Sequence, residues 1–96
     1  MTDEINQTFD RIEALLEFPC DFPIKVIGQP HAQFETTVAE LVSRHIDHFD
    51  PTQISSNQSR TGRFISLTVN VRVQRRAQLQ DLYMALADHE MVRMVI

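Results

Sequence analysis

His45 and His48 stand three residues apart with Asp47 and Asp50 beside them, and on a helix that spacing would present two imidazoles to one metal ion. A metal site also needs a third and fourth ligand and an ordered second shell. Asp50-Pro51 ends the helix near this pair, so histidines at an exposed helix terminus, where they suit the negative end of the helix dipole, are the favoured reading. His31 and His89 lie too far away in the chain to be recruited. Cys20, the one cysteine, sits between Pro19 and Asp21 with no basic neighbour to lower its pKa and no evident base to activate it. Glu13 and Glu17 are four apart on an exposed helical face and read as solvated charge, not as an acid/base dyad. No catalytic constellation emerges, so the chain is expected to be no enzyme and to carry neither metal nor cofactor.

Length and composition set the frame for these residues. Ninety-six residues make one domain with a single two-layer core. Hydrophobic residues at 43% and charged residues at 23% exclude wholesale disorder, and no apolar run reaches the ~20 residues that cross a bilayer. The polar, acidic start MTDEINQTFD lacks the basic and apolar regions of a secretory signal, and a single cysteine suits a reducing compartment, so a cytoplasmic location is expected. A net charge of −4 argues against a nucleic-acid partner, although Arg60, Arg63, Arg72, Arg75 and Arg76 cluster in one short span.

The positioning element is the run 62–73, GRFISLTVNVRV. Ile65, Leu67, Val69, Val71 and Val73 alternate with Ser66, Thr68, Asn70 and Arg72, the period of a half-buried strand free of Pro and Gly. Around it the pattern predicts a strand over 22–27 ended by Gly28, a helix over 31–46, a strand from about 52 to 57 and a hairpin turn NQSRTG. A second helix is predicted from about Arg75 to Asp88, then a last strand in MVRMVI with Val92, Met94 and Ile96 facing the core and Arg93 facing away. Ahead of these, Ile5, Phe9, Ile12 and Leu16 form one narrow apolar stripe, predicting a helical extension over residues 1–16 that must lie against the domain or a neighbouring subunit. The resulting order βαββαβ, with right-handed crossovers, gives an antiparallel sheet ordered 4-1-3-2 with both helices on one face.

The other face is then open. Lys25, Ser66, Thr68, Asn70 and Arg93 project from it in this register, two cations among short donors that suit an anion or carboxylate. The plain alternative is a solvated polar face. Gly28 and the GQPH loop precede a helix N-terminus, a natural anion site, although one glycine is a weak phosphate motif and a simple strand-to-helix turn accounts for it. RNA recognition on this topology uses aromatic platforms, and Ser66, Thr68 and Asn70 stand where aromatics are wanted, with Phe64 alone no platform.

The string LLEFPCDFPIKVIGQ at 15–29, the Ser55-Ser56 pair, Gly62-x-Phe64-x-Ser66-x-Thr68, Leu82-Tyr83 with Leu86, and the terminal VRMVI together resemble the YbeD-like family of small uncharacterised bacterial proteins. The resemblance implies an α+β, ferredoxin-like fold of the kind found in ACT regulatory domains over residues 17–96. Such domains bind small ligands, often amino acids, where subunits meet. The N-terminal extension and the segment between Ser56 and Gly62 are longer than in that family. On these grounds the chain is expected to be a non-enzymatic regulatory or ligand-sensing protein. It should self-associate and bind a small anionic or amino-acid-like ligand through Lys25, Gly28, Ser66, Thr68, Asn70 and Arg93. The alternative is an adaptor that docks a protein partner on the open face or the edge strand.

Overall fold

Period-2 alternation in Ile65–Val73 and 3.6-residue periodicity in two flanking segments are realised as strand and helices in the computed structural model, which describes residues 17–96. In chain order the elements are β1 (Cys20–Gly28), α1 (Phe34–His45), β2 (Ile54–Gln58), β3 (Ile65–Val73), α2 (Arg76–Asp88) and β4 (Val92–Val95), with a short 3-10 turn, Pro51–Gln53, leading into β2. The helical extension expected over residues 1–16 lies outside the described residues.

The four strands form one antiparallel sheet in the order β2-β3-β1-β4. Nine consecutive residue pairs join β1 to β3, so Ile24 lies opposite Val69 and Val26 opposite Leu67 on the face covered by the helices. Phe34, Val38 and Val42 from α1 and Leu79, Leu82, Tyr83 and Leu86 from α2 bury against that face. Each such aliphatic side chain removed from water contributes about 1.5–3 kcal/mol. Phe22 meets Tyr83 edge to face, with ring centroids 6.4 Å apart. Gln78 ties the helices together. Its Nε2 donates to the His45 carbonyl at 2.9 Å, and its Oε1 accepts the Gln74 N–H at 2.8 Å.

Pro23 sits inside β1 although β1 is a central strand. The Lys25 N–H points towards β4 and donates to the Ile96 carbonyl at 3.1 Å. Two residues earlier, the Pro23 nitrogen points the same way but lies past the reach of β4, so no ladder bond is lost.

The final strand departs from the expected phase. Gly28 pairs with Val92 but Ile27 with Met94, so Arg93 is an extra residue that shifts the register between Ile27 and Gly28. Strict alternation would let Val92, Met94 and Ile96 face the helices. The bulge instead brings Val92 and Val95, three apart, both against the core and turns Met94 and Ile96 outwards, where they are 55% and 60% exposed. Core packing favours this: two branched side chains become half-buried against the core at the expense of one ladder step.

Gly28 is fully enclosed, not displayed. A Cβ there would lie 2.5 Å from the Met91 carbonyl oxygen and 2.7 Å from Cζ of Phe34. The expected role for Gly28 as part of a ligand surface is thereby corrected: its missing side chain is what lets the last loop and α1 close over the sheet. Gly28→Ala should destabilise the protein by about 1–3 kcal/mol in urea denaturation. Adding Phe34→Leu should recover only part of that loss, because the Met91 main-chain oxygen still stands in the way.

Burial pushes the Tyr83 hydroxyl up from 10.0 to about 12. With the folded pKa above the unfolded one, the native state holds its proton longer, so stability is intact below pH 10 and falls between about pH 10 and 12, by roughly 2–3 kcal/mol. Tyr83 is the sole tyrosine and the chain has no tryptophan, so tyrosinate absorbance reads this group directly. Its midpoint should sit near 12 in the native protein and near 10 in denaturant, and Tyr83→Phe should remove that part of the alkaline stability loss.

Candidate functional site

The face of the sheet away from the helices is graded along the strands. At one end Asp21 and Arg72, paired across β1 and β3, approach to 3.5 Å as a well-exposed ion pair. Lys25 lies opposite Thr68 in the middle, with Ile27 opposite Ser66 beyond it. Towards the far end the surface turns apolar: Ile96 exchanges two backbone hydrogen bonds with Lys25, and Met94 pairs with Ile27. Phe64, 43% exposed, closes the margin. Lys25, Ile27, Phe64, Ser66, Thr68 and Ile96 line an open hollow of about 470 Å³.

Of the residues expected on this surface, Lys25, Ser66 and Thr68 come together. Asn70 is on the same face but nearer the charged end, where it borders a hollow with Asp21, His48 and Arg72. Arg93 does not join Lys25, whose β4 neighbour is Ile96. The bulge carries Arg93 to the end of the sheet, beside Gln29 and Pro30 and in a common hollow with Arg63 and Phe64. The expected pairing of the Lys25 and Arg93 cations on one surface is therefore corrected, for the same reason as the phase of β4. Phe64, Ile27, Met94 and Ile96 were absent from the expected site. Phe64 carried a signal, since it falls on the outward side of the alternating run.

A third surface runs between α1 and the sheet edge. Glu35, Ala39, Glu40, Arg44, Pro51 and Ile54 border a shallow groove of about 570 Å³ there. The adjoining edge strand, β2, pairs with β3 over five residues without a register shift, and ISSNQ contains neither Pro nor a charge.

The remaining chemistry-bearing residues have structural work. Asp50 caps the 3-10 turn: its Oδ1 accepts the Thr52 N–H at 2.9 Å, and this backbone bond, with one from the Thr52 side chain, holds its carboxyl below the usual carboxylate range. His31 and His89 each accept a backbone N–H two residues on, from Gln33 at 3.0 Å and from Met91 at 3.1 Å. Cys20 opens β1, whereas these two histidines flank its far end. Nine residues of extended chain span about 26 Å at 3.3 Å per step, so neither histidine serves Cys20 as a base. Among the described residues no group of three or more His, Cys, Asp or Glu is placed to hold a metal ion, and no helix is long and apolar enough to cross a membrane.

Comparison with known proteins agrees with the fold. The solution structure of protein HP0495 from H. pylori superposes with a TM-score of 0.69 over 84% of this chain and 85% of that one, at 17% identity, a likeness of fold alone. A UPF0250 protein of Paraburkholderia phymatum is 43% identical over 84 residues, covering 88% of this chain and 94% of the relative. Another, from Nitrosomonas europaea, is 42% identical over 84 residues, covering 88% of this chain and 97% of the relative. The family model "Protein of unknown function (DUF493)" matches residues 13–96. The chain therefore belongs to the DUF493, or UPF0250, family of small YbeD-like bacterial proteins.

Proposed function

We propose that this protein is a non-enzymatic, ligand-sensing regulatory module with a ferredoxin-like, ACT-like architecture, and that the open sheet face is its recognition surface. The supporting observation is the hollow in which Lys25, Ser66 and Thr68 stand between Ile27, Phe64 and Ile96. A cation and two hydroxyls set among apolar side chains suit a small organic acid: its carboxylate meets Lys25 and a hydroxyl, and its hydrocarbon body covers the apolar margin. Amino acids and short aliphatic or sulfur-containing carboxylic acids are the matching class.

Self-association fits the same reading. An edge strand is ordinarily guarded by charge, Pro or a bulge. β4 carries a bulge and Arg93, but β2 has none of these, so a second copy can add its own β2 antiparallel to this one about a two-fold axis. Exposed Met94 and Ile96 favour a second reading, in which the open face docks a protein partner and no small ligand is involved.

Thermal-shift measurements with a panel of such acids test the first reading. A true ligand at a hundredfold excess over its Kd should add about 2.7 kcal/mol to native stability. Lys25→Glu should abolish the shift without lowering the midpoint of the free protein. If no acid shifts the midpoint and Ile96→Asp abolishes capture of a protein partner, the docking reading replaces it. Sedimentation should show association of the native chain at high micromolar concentration. Ser56→Lys, which sets like charges against each other across paired β2 strands, should give a monomer, and a monomeric native chain would dismiss the edge-pairing idea.

A further inference from the structure

At the end of the sheet beside Gly28 two guanidinium groups border one hollow. Gly28 pairs with Ile65 on one side and Val92 on the other, and Arg63, two residues before Ile65, and Arg93, the bulge residue next to Val92, arrive from chain segments thirty positions apart at one hollow of about 740 Å³. Its other borders are Gln29, Pro30 and Phe64, with no carboxylate among them. The ion pair seen in the described residues lies at the opposite end of the sheet, between Asp21 and Arg72. In a chain of net charge −4, two guanidinium groups bordering one hollow repel one another, and an anion between them would relieve that repulsion; Glu90 borders the adjoining hollow together with Arg93 and offsets it only from that side.

Two further observations shape the ligand. The exposure of Phe64 is held in place by its backbone: its N–H donates to Ser59 Oγ at 3.1 Å and its carbonyl accepts the Ser59 N–H at 2.9 Å. An aromatic ring fixed at the margin of a cationic hollow offers a stacking surface for a flat group. His31, in the adjoining hollow that shares Gln29, Pro30 and Arg93, uses Nδ1 as an acceptor for the Gln33 N–H, which places the proton of its neutral ring on Nε2 as a further donor. The bulge that delivers Arg93 is the kind of irregularity that re-aims a side chain at a sheet end.

From this we propose that the hollow binds a small phosphorylated molecule carrying a planar ring, of the nucleoside monophosphate type, with the phosphate between Arg63 and Arg93 and the ring over Phe64. The fork of each guanidinium matches a phosphate dianion, and the volume falls within the range of small-molecule sites. A long nucleic acid is disfavoured by the acidic total, which limits how many phosphates can be neutralised. The site is separate from the organic-acid hollow of the preceding section, with which it shares only Phe64.

Titration of the full-length, isotope-labelled protein with adenosine 5′-monophosphate, followed by amide NMR shifts, tests this. Saturable shifts are expected at Gln29, His31, Arg63, Phe64 and Arg93, with adenosine and inorganic phosphate each binding at least roughly tenfold more weakly because each lacks one half of the contact. Arg63→Ala or Arg93→Ala should each weaken the nucleotide by roughly tenfold or more. Phe64→Ala should weaken the nucleotide but leave ribose 5-phosphate unchanged. All three residues are exposed, so unchanged core amide shifts will confirm that the variants fold. Lys25→Glu should leave the nucleotide titration intact, which separates this site from the open face. Equal affinity for nucleotide and inorganic phosphate, shifts that survive both arginine substitutions, or tighter binding of a single-stranded oligonucleotide than of the mononucleotide would overturn the proposal.

Discussion

The ladder between β1 and β3 is the constraint from which the rest follows. Nine residue pairs in unbroken register fix which side of each strand meets the helices, because a slip of one residue would turn every side chain to the other face. Ile24 and Val26 on one strand and Leu67, Val69 and Val71 on the other then supply a continuous aliphatic floor, and α1 and α2 have one place to settle. Lys25, Ser66 and Thr68 are on the solvent side for no reason beyond their parity with that floor. The chemistry of the open face is thus a by-product of core packing, set before any ligand enters the account.

Gly28 is where this floor meets its roof. The strand needs an alternating side chain there, yet the Phe34 ring and the Met91 carbonyl occupy the volume a methyl group would require. Omitting the Cβ lets the first helix begin almost against the sheet and lets the chain re-enter as β4. The two arginines that flank this point owe their proximity to it, since Ile65 and Val92 are both partners of Gly28.

Much of the architecture was legible in the residues. The ISLTVNVRV alternation announced a half-buried strand, and the apolar spacing in FETTVAELV and LQDLYMAL marked two helices with a buried face. The family was legible too, because LLEFPCDFPIKVIGQ and VRMVI carry it. Less legible was the phase of the last strand: Met91, Val92, Met94, Val95 and Ile96 are all apolar, so either parity satisfies the alternation rule, and only the requirement that two valines three apart both reach the core selects the bulge. Once that phase is wrong, Arg93 is put beside Lys25 and the apolar margin made by Met94 and Ile96 is missed. Gly28 looked like a loop residue because sequence alone does not reveal which atoms crowd a backbone. The two sheet edges were likewise indistinguishable until pairing showed one interrupted and the other smooth.

The single surplus residue in β4 governs the charge at one end of the sheet. Losing it would leave Met94 opposite Ile27 and Ile96 opposite Lys25 in an ordinary ladder, so the greasy border would stay while a guanidinium left the sheet's end. Relatives one residue shorter in this final strand would therefore keep the framework and its apolar margin but lose the cation beside Gly28, so strand length by itself would retune what this small domain recognises.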